Sequence, residues 1–384
     1  MTSDALSRMA QNPFLLSAML FVKQYNLSRV LPSTKISLYE RLVETISQVA
    51  MSEPGNVANV FSKEAQIDLA DFSYSLFTRH IEPQDIFSET DWVEFCTRAG
   101  RKTNLKTQLV KGRLLEAASE LKEYRFMHRS LHEHFVGRAM LNTDVDIWPQ
   151  RLHPAWRNAF IAYAGLLHKN GDLPAFKTLC RKIYQEQDYA GFQLILLANI
   201  FSACGINDSQ KWVGEDIRRL MYEFCTHTFS EHHDLMISAV ADMDPAWIEK
   251  EVLKDFDDPS YLKDIGGDEF YPGEDYALFG GEVDCPYFVL SKTRTSFAKT
   301  KLEEIFWAPD AQHAALAAAG FAKLSSISDK QKVVKKGLEL DVEDPFFSRI
   351  YSFCQKANSP LSIPIYTKVL DSSWAEVPLS LIHI

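Results

Sequence analysis

Apolar residues recur every three or four positions through most of this chain, a spacing that predicts helices. Leu6, Met9 and Ala10 begin the pattern, with Asp4 placed to cap it. Asn12-Pro13 then interrupts it, because proline disfavours helix in the residue before it and suits the first turn of the next helix. Phe14, Leu15, Ala18, Met19, Phe21 and Val22 form a second apolar face. Residues 37–50 predict a third helix, with Leu38, Leu42, Val43 and Ile46 as its stripe, Ser37 as its cap and Glu40 completing a capping box. Residues 62–79 and a segment starting at Ser88-Glu-Thr-Asp91 predict two more helices.

The period changes after that. Leu114-Leu115-Glu116 and Tyr124-Arg-Phe126 read as two short strands around residues 118–123, a wing-like hairpin ahead of a helix that follows His128. Beyond Trp148-Pro149 the helical spacing returns, over 153–167, 173–185, 189–204, 210–227 and 232–242. Residues 255–290 are rich in Gly, Asp, Tyr and Pro and read as an irregular insertion. Helices resume over 296–306, 311–324, 329–338 and 345–356. The expected fold is therefore mainly α, a winged helix followed by an irregular HEAT-like helical array without a strict repeat period.

Composition narrows the function. The net charge of −10 is unevenly distributed, since residues 1–140 hold 17 Lys/Arg against 16 Asp/Glu and the remainder holds 24 against 35. That is not the broad basic footprint of a nucleic-acid-binding chain. A local basic stretch, residues 98–113, is expected to be a solvated or interdomain face. Six scattered cysteines without a Cys-x-x-Cys pair read as reduced thiols, and the start lacks the order of a secretory signal, so a cytoplasmic location is expected. No apolar run approaches the roughly 20 residues of a membrane-spanning helix.

The segment 124–140, YRFMHRSLHEHFVGRAM, resembles the motif that closes the winged helix of NACHT-type STAND NTPases, matching at Phe126, His128, Ser130, Glu133, Phe135 and Arg138. Asn12-Pro13-Phe14-Leu15-Leu16, the helix containing Leu38-Tyr39-Glu40-Arg41-Leu42-Val43, and Trp156 with Ala162, Gly165 and Leu166 are also similar to segments of that family, in the same order. Leu131-His132 and Val136-Gly137 depart from its pattern. The resemblance implies a nucleotide-gated signalling switch, plausibly in defence. It implies that residues 1–35 end the nucleotide-binding module, 36–142 form the winged helix, and 143–384 form a helical bridge and sensor array. His128 is then the contact to the β-phosphate of ADP and Pro13 the contact to adenine. ATP or ADP with Mg is the implied cofactor of a longer parent. The implied partners are the chain's own nucleotide module, a trigger on the array, and further copies of itself in the active state.

Other readings stand beside this one. His128 at a helix start can simply bond locally. His128 and His132 have a zinc-compatible spacing, with Glu133 and His134 nearby, as do Cys225, His227, His232, His233 and Asp234, but no metal site is expected from either group. The aromatic cluster Phe270, Tyr271, Tyr276, Phe279, Tyr287 and Phe288 reads as a packed insertion. No Gly-x-x-x-x-Gly-Lys-Ser/Thr loop occurs, so the chain by itself is not expected to hydrolyse ATP. The final hexapeptide, 379–384, is similar to a translated sequencing adaptor, which suggests a gene fragment. A nucleotide-independent helical interaction module and a winged-helix DNA-binding regulator are the alternative functions.

Overall fold

The computed structural model describes residues 6, 9, 10, 12–25, 30–52, 63–79, 85–100, 110, 114–119, 122–142, 148–151, 153–186, 191–227, 233–256, 286–308 and 311–370. The described residues are mainly helical, with one small sheet. They divide into two compact units, 1–218 and 219–384. Asp4, the stretches 101–109 and 111–113, His232, Phe270, Tyr271, Tyr276, Phe279 and residues 379–384 lie outside the described residues.

In the first unit, α1 (Pro13–Tyr25) packs on α2 (Lys35–Ser52) through Leu15, Ala18, Met19 and Val22, the face its spacing predicts. The cap of α2 is Thr34 rather than Ser37: the Thr34 hydroxyl oxygen accepts from the Ser37 amide at 3.3 Å. Glu40 therefore lies a turn further into the helix and completes no capping box. α3 (Lys63–Arg79) buries Leu69, Phe72, Leu76 and Phe77. A three-residue strand, β1 (Ile86–Ser88), leads directly into α4 (Glu89–Ala99). There Ser88 and Asp91 form a full capping box, and Gly100 ends the helix at φ +65°. The hairpin strands are β2 (Leu115–Ser119) and β3 (Glu123–Phe126), and the antiparallel sheet order is β1-β3-β2. Phe87 pairs with Tyr124 and Leu115 with Phe126, so the buried Phe87, Leu115 and Phe126 side chains face the helices.

α5 (Arg129–Ala139) follows, packed between α3 and α6 (Arg157–Lys169). The expected single helix from His153 starts instead as a 3-10 turn, Pro154–Trp156, capped by the His153 ring. α5 and α6 approach closely at Gly137, where a Cβ would lie 2.7 Å from both the Ala159 carbonyl oxygen and the Tyr163 amide nitrogen. α7 (Leu173–Tyr184) is capped by Asp172, and α8 (Phe192–Cys204) is bounded by Gly191 and Gly205. The helix expected over 210–227 is broken into α9 (Gln210–Val213) and α10 (Ile217–His227). Gly214 takes φ +91°, a conformation that ends a helix readily only in glycine. The buried Ser209 hydroxyl closes the break, donating to the Glu215 carbonyl and accepting from the Ile217 amide.

The second unit contains α11 (His233–Met243), α12 (Pro245–Phe256), α13 (Pro286–Thr293), α14 (Ser296–Trp307), α15 (Ala311–Leu324), α16 (Ile327–Glu339), α17 (Pro345–Ala357) and α18 (Ile363–Leu370). Phe306, Phe321, Phe347 and Phe353 are fully buried at its centre. α12, α13 and α18 are not among the helices expected from the sequence. α12 starts at Asp244-Pro245, where the Asp244 carboxylate accepts from the Trp247 amide at 3.2 Å, and α13 begins inside the stretch read as an irregular insertion. Tyr287 of that stretch is buried, as a packed role requires.

Candidate functional site

Two helix starts meet in the first unit. At the start of α1, the Asn12 side-chain oxygen accepts from the amides of Phe14 at 3.0 Å and Leu15 at 3.1 Å. This cap fixes Pro13 in the first turn and leaves it exposed. At the start of α5, His128 is the cap residue, in extended conformation, and its Nδ1 accepts from the Ser130 amide at 3.1 Å. The Phe14 ring lies on the His128 ring, with centroids 3.8 Å apart and planes 8° from parallel. The structure thus brings Pro13 and His128 to one place through Phe14, which the sequence shows only as part of an apolar face and of the Asn12-Pro13 segment.

Burial lowers the His128 pKa, Lys35 at the start of α2 lowers it further, and Asp85 opposes both. The neutral imidazole is favoured. Because Nδ1 is an acceptor, the remaining proton belongs on Nε2, a tautomer fixed by the hydrogen bonding. A neutral N–H donor at a helix N-terminus, with a cationic side chain in reach, suits an anionic oxygen. The neighbouring crevice between α2, α5 and α6 is lined by Lys35, Tyr39, Ser130, Glu133 and Asn158. Its cavity volume of about 10 Å³ is far below the roughly 300–1,000 Å³ typical of small-molecule pockets, so the described residues alone do not enclose a nucleotide here.

The other histidines of the motif face the interior. His132 is fully buried, stacked on Phe126 at 4.5 Å and 5°, with the edge of Phe77 5.4 Å away. Its Nε2 donates to the Ser73 carbonyl at 3.1 Å, and its Nδ1 lies 3.2 Å from the Asp85 carboxylate. The zinc-like spacing of His128 and His132 therefore does not converge: one ring caps its helix and the other uses both nitrogens inside the core. Among the described residues, no group of three or more His, Cys, Asp and Glu side chains could hold a metal ion.

His134 leads to the electrostatic centre of the unit. Its Nε2 donates to Glu40 at 2.8 Å, while Arg138 and Lys169 donate to the same carboxylate, Lys169 at 2.9 Å. Arg138 also reaches Gln66. Burial alone would raise the Glu40 carboxyl, but His134, Arg138 and Lys169 outweigh it and hold the group far below the usual range. Burial depresses the His134 pKa despite Glu40. A second proton on His134 would also put a donor on Nδ1, which meets no hydrogen-bond partner among the described residues. The Glu133 carboxyl is raised by burial, against its contacts with Asn158 and Arg129. Glu40 thus joins α2, α5 and α6 in one cluster. Its contacts lie 94, 98 and 129 residues away, a separation no local spacing reveals.

Trp156 packs edge-on to Phe77 at 4.8 Å, and Gly165 meets Ile36 directly, so all four segments that carry the family resemblance lie in this one unit. Arg98 is exposed in the last turn of α4. No described helix is long and apolar enough to cross a membrane. Comparison with known family models, curated proteins and solved structures gave no match for this chain.

Proposed function

We propose that this chain belongs to a nucleotide-gated signalling switch of the NACHT type, with residues 36–142 as a winged helix latched by ADP and 143–384 as a helical bridge and HEAT-like sensor array. The observation that carries the reading is the Phe14–His128 stack, which joins the Asn12-Pro13 turn to the helix that His128 starts. The segments that resemble the adenine and phosphate contacts of the family thereby share one face. His128 would hold a phosphate oxygen through Nε2–H, and Pro13 would pack against the base. The nucleotide supplies the charge that His128 recognises. Its triphosphate cradle and Mg ligands belong, on this reading, to an upstream P-loop module.

In the resting state the latch keeps the winged helix closed. A trigger on the array favours the open state only by the difference in its affinity for the two states, after which ATP replaces ADP and copies assemble. A hydrogen bond to a charged group contributes about 1.5–3 kcal/mol, which biases a two-state equilibrium by roughly one to two powers of ten. Defence is the setting the resemblance suggests.

The reading is tested first by determining the coding sequence 5′ of the Met1 codon. A P-loop and an acidic Walker B strand in frame support it, whereas a stop codon and ribosome-binding site immediately upstream sink it. In a chain carrying that module, His128→Ala is expected to raise basal signalling. Unchanged or lower signalling removes the latch role.

A further inference from the structure

We propose that Phe14 is a positioning residue that holds the His128 imidazole as a single tautomer, with its proton on Nε2 and directed outward. The consequence for nucleotide recognition rests on the switch reading above. The positioning itself does not.

A neutral imidazole can carry its proton on either nitrogen, and its ring can turn over about the bond to Cβ. Two contacts remove that freedom. The Ser130 amide occupies Nδ1 at 3.1 Å. The Phe14 ring covers one imidazole face at 3.8 Å, nearly parallel. A cap hydrogen bond alone leaves a half-exposed ring free to swing, whereas a stacked ring fixes its plane. Phe14 is itself held, because Asn12 accepts from its amide at 3.0 Å and Tyr39 stands behind it with centroids 6.2 Å apart. Order therefore passes from the Asn12 cap to the Phe14 ring, then to the His128 plane and the direction of its N–H.

Among the described residues, the charged groups facing His128 are few. α2 contributes Lys35, the residues before β1 contribute Asp85, and α1 contributes the uncharged Phe14. Arg129, next to His128 on α5, is engaged by Asp85 and Glu133. An aromatic face attracts a cation, which would favour the imidazolium. Burial beneath the same ring favours the neutral form. Parallel stacking keeps water from one imidazole face, and burial is the larger influence on His128. Loss of the Phe14 ring should therefore raise the titration midpoint of His128 and mix its tautomers. Because Phe14 directly follows Pro13, the ring also ties the two proposed nucleotide contacts into one unit. Displacing either then displaces the other.

The test uses the whole 384-residue chain without nucleotide. Imidazole ¹H–¹⁵N correlation spectra are recorded from about pH 5 to 8, where histidines titrate, and His128 is assigned by its loss in His128→Asn. The wild type is expected to show one tautomer, protonated on Nε2, with a midpoint below the usual value. Phe14→Leu and Phe14→Met, which keep apolar volume without a ring, should move the midpoint up toward about 6.5 and mix the tautomers. Phe14→Tyr should preserve both properties. Wild-type behaviour in a folded, ring-less variant overturns the proposal, as does a Phe14→Tyr variant that behaves like the ring-less ones. Thermal unfolding identifies which variants are folded, and either ring-less variant suffices. Nucleotide plays no part in these spectra, so the positioning can stand if His128→Ala fails to alter signalling, and it can fall while the switch reading stands.

Discussion

Glu40→Gln is the sharpest test of how the first unit is held together. The substitution keeps the shape of the side chain and removes its charge. The carboxylate is 12% exposed and faces His134, Arg138 and Lys169, which are 0%, 19% and 36% exposed. His134 can still donate to the amide oxygen, so its contact survives. Arg138 loses a charged hydrogen-bond partner, a change of about 1.5–3 kcal/mol. Lys169 reaches water, and its screened pair contributes about 0–1 kcal/mol. The amide nitrogen also places a donor against two cations. The expected loss is about 2–3 kcal/mol, roughly a hundredfold in the folded-to-unfolded ratio. Urea unfolding, followed through the buried Trp92, Trp156 and Trp212 of this unit, measures it. The exposed Arg41–Glu44 pair, 3.4 Å apart, is the control, and Arg41→Gln should stay within about 0.5 kcal/mol of wild type. A Glu40→Gln variant equally close to wild type would refute the electrostatic account. The pH dependence gives a second check. A depressed carboxyl contributes stability that is present above its ordinary value of 4.5 and is lost as pH falls through the folded value. Glu40→Gln should therefore flatten that part of the acid limb. His128 and His134 are also depressed, so their contribution is full above 6.5 and declines as pH falls below it.

Gly137→Ala should cost about 1–3 kcal/mol in thermal or urea unfolding, because its Cβ would meet the α6 backbone. Gly165→Ala should cost less, since its obstacle is the Ile36 side chain, and equal costs would contradict the packing argument. His128→Ala should lose about 1 kcal/mol of helix capping, whereas His128→Asn should retain most of it. Equal melting temperatures for these two variants would remove the cap. Cys180 and Cys354, both buried, should resist a thiol reagent until unfolding, because burial raises both thiols. Rapid labelling of either of them in the native chain, read by peptide mass, would contradict the buried placement.

Much of the local structure was legible because it depends on nearby residues. The apolar stripes of α1 and α2, the Ser88-to-Asp91 start of α4 and the hairpin from Leu115 to Phe126 follow from spacing and short side-chain reach. β1 was not legible, since three residues are too few to show alternation and it forms only by pairing with β3. The Ser37 cap failed because Thr34, three residues earlier, offers the same chemistry one turn sooner. Gly214 was visible, but whether a glycine interrupts a helix depended on Ser209 closing the break. α12 was missed although its Asp-Pro start and the buried Ile248 and Val252, four residues apart, carry the helical signal.

The sequence by itself determined that the chain is mainly helical, where most helices begin, and that Pro13 and His128 each stand at a helix start. Those features follow from propensity, periodicity and capping, which act within a few residues. Only the tertiary structure decided that Phe14 bridges those two starts, that Glu40 gathers three positive or proton-donating partners, and that His128, His132 and His134 have three different environments. Spacing places the three histidines on one short segment, but burial, neighbouring charge and the direction of each ring nitrogen depend on which distant elements fold against it.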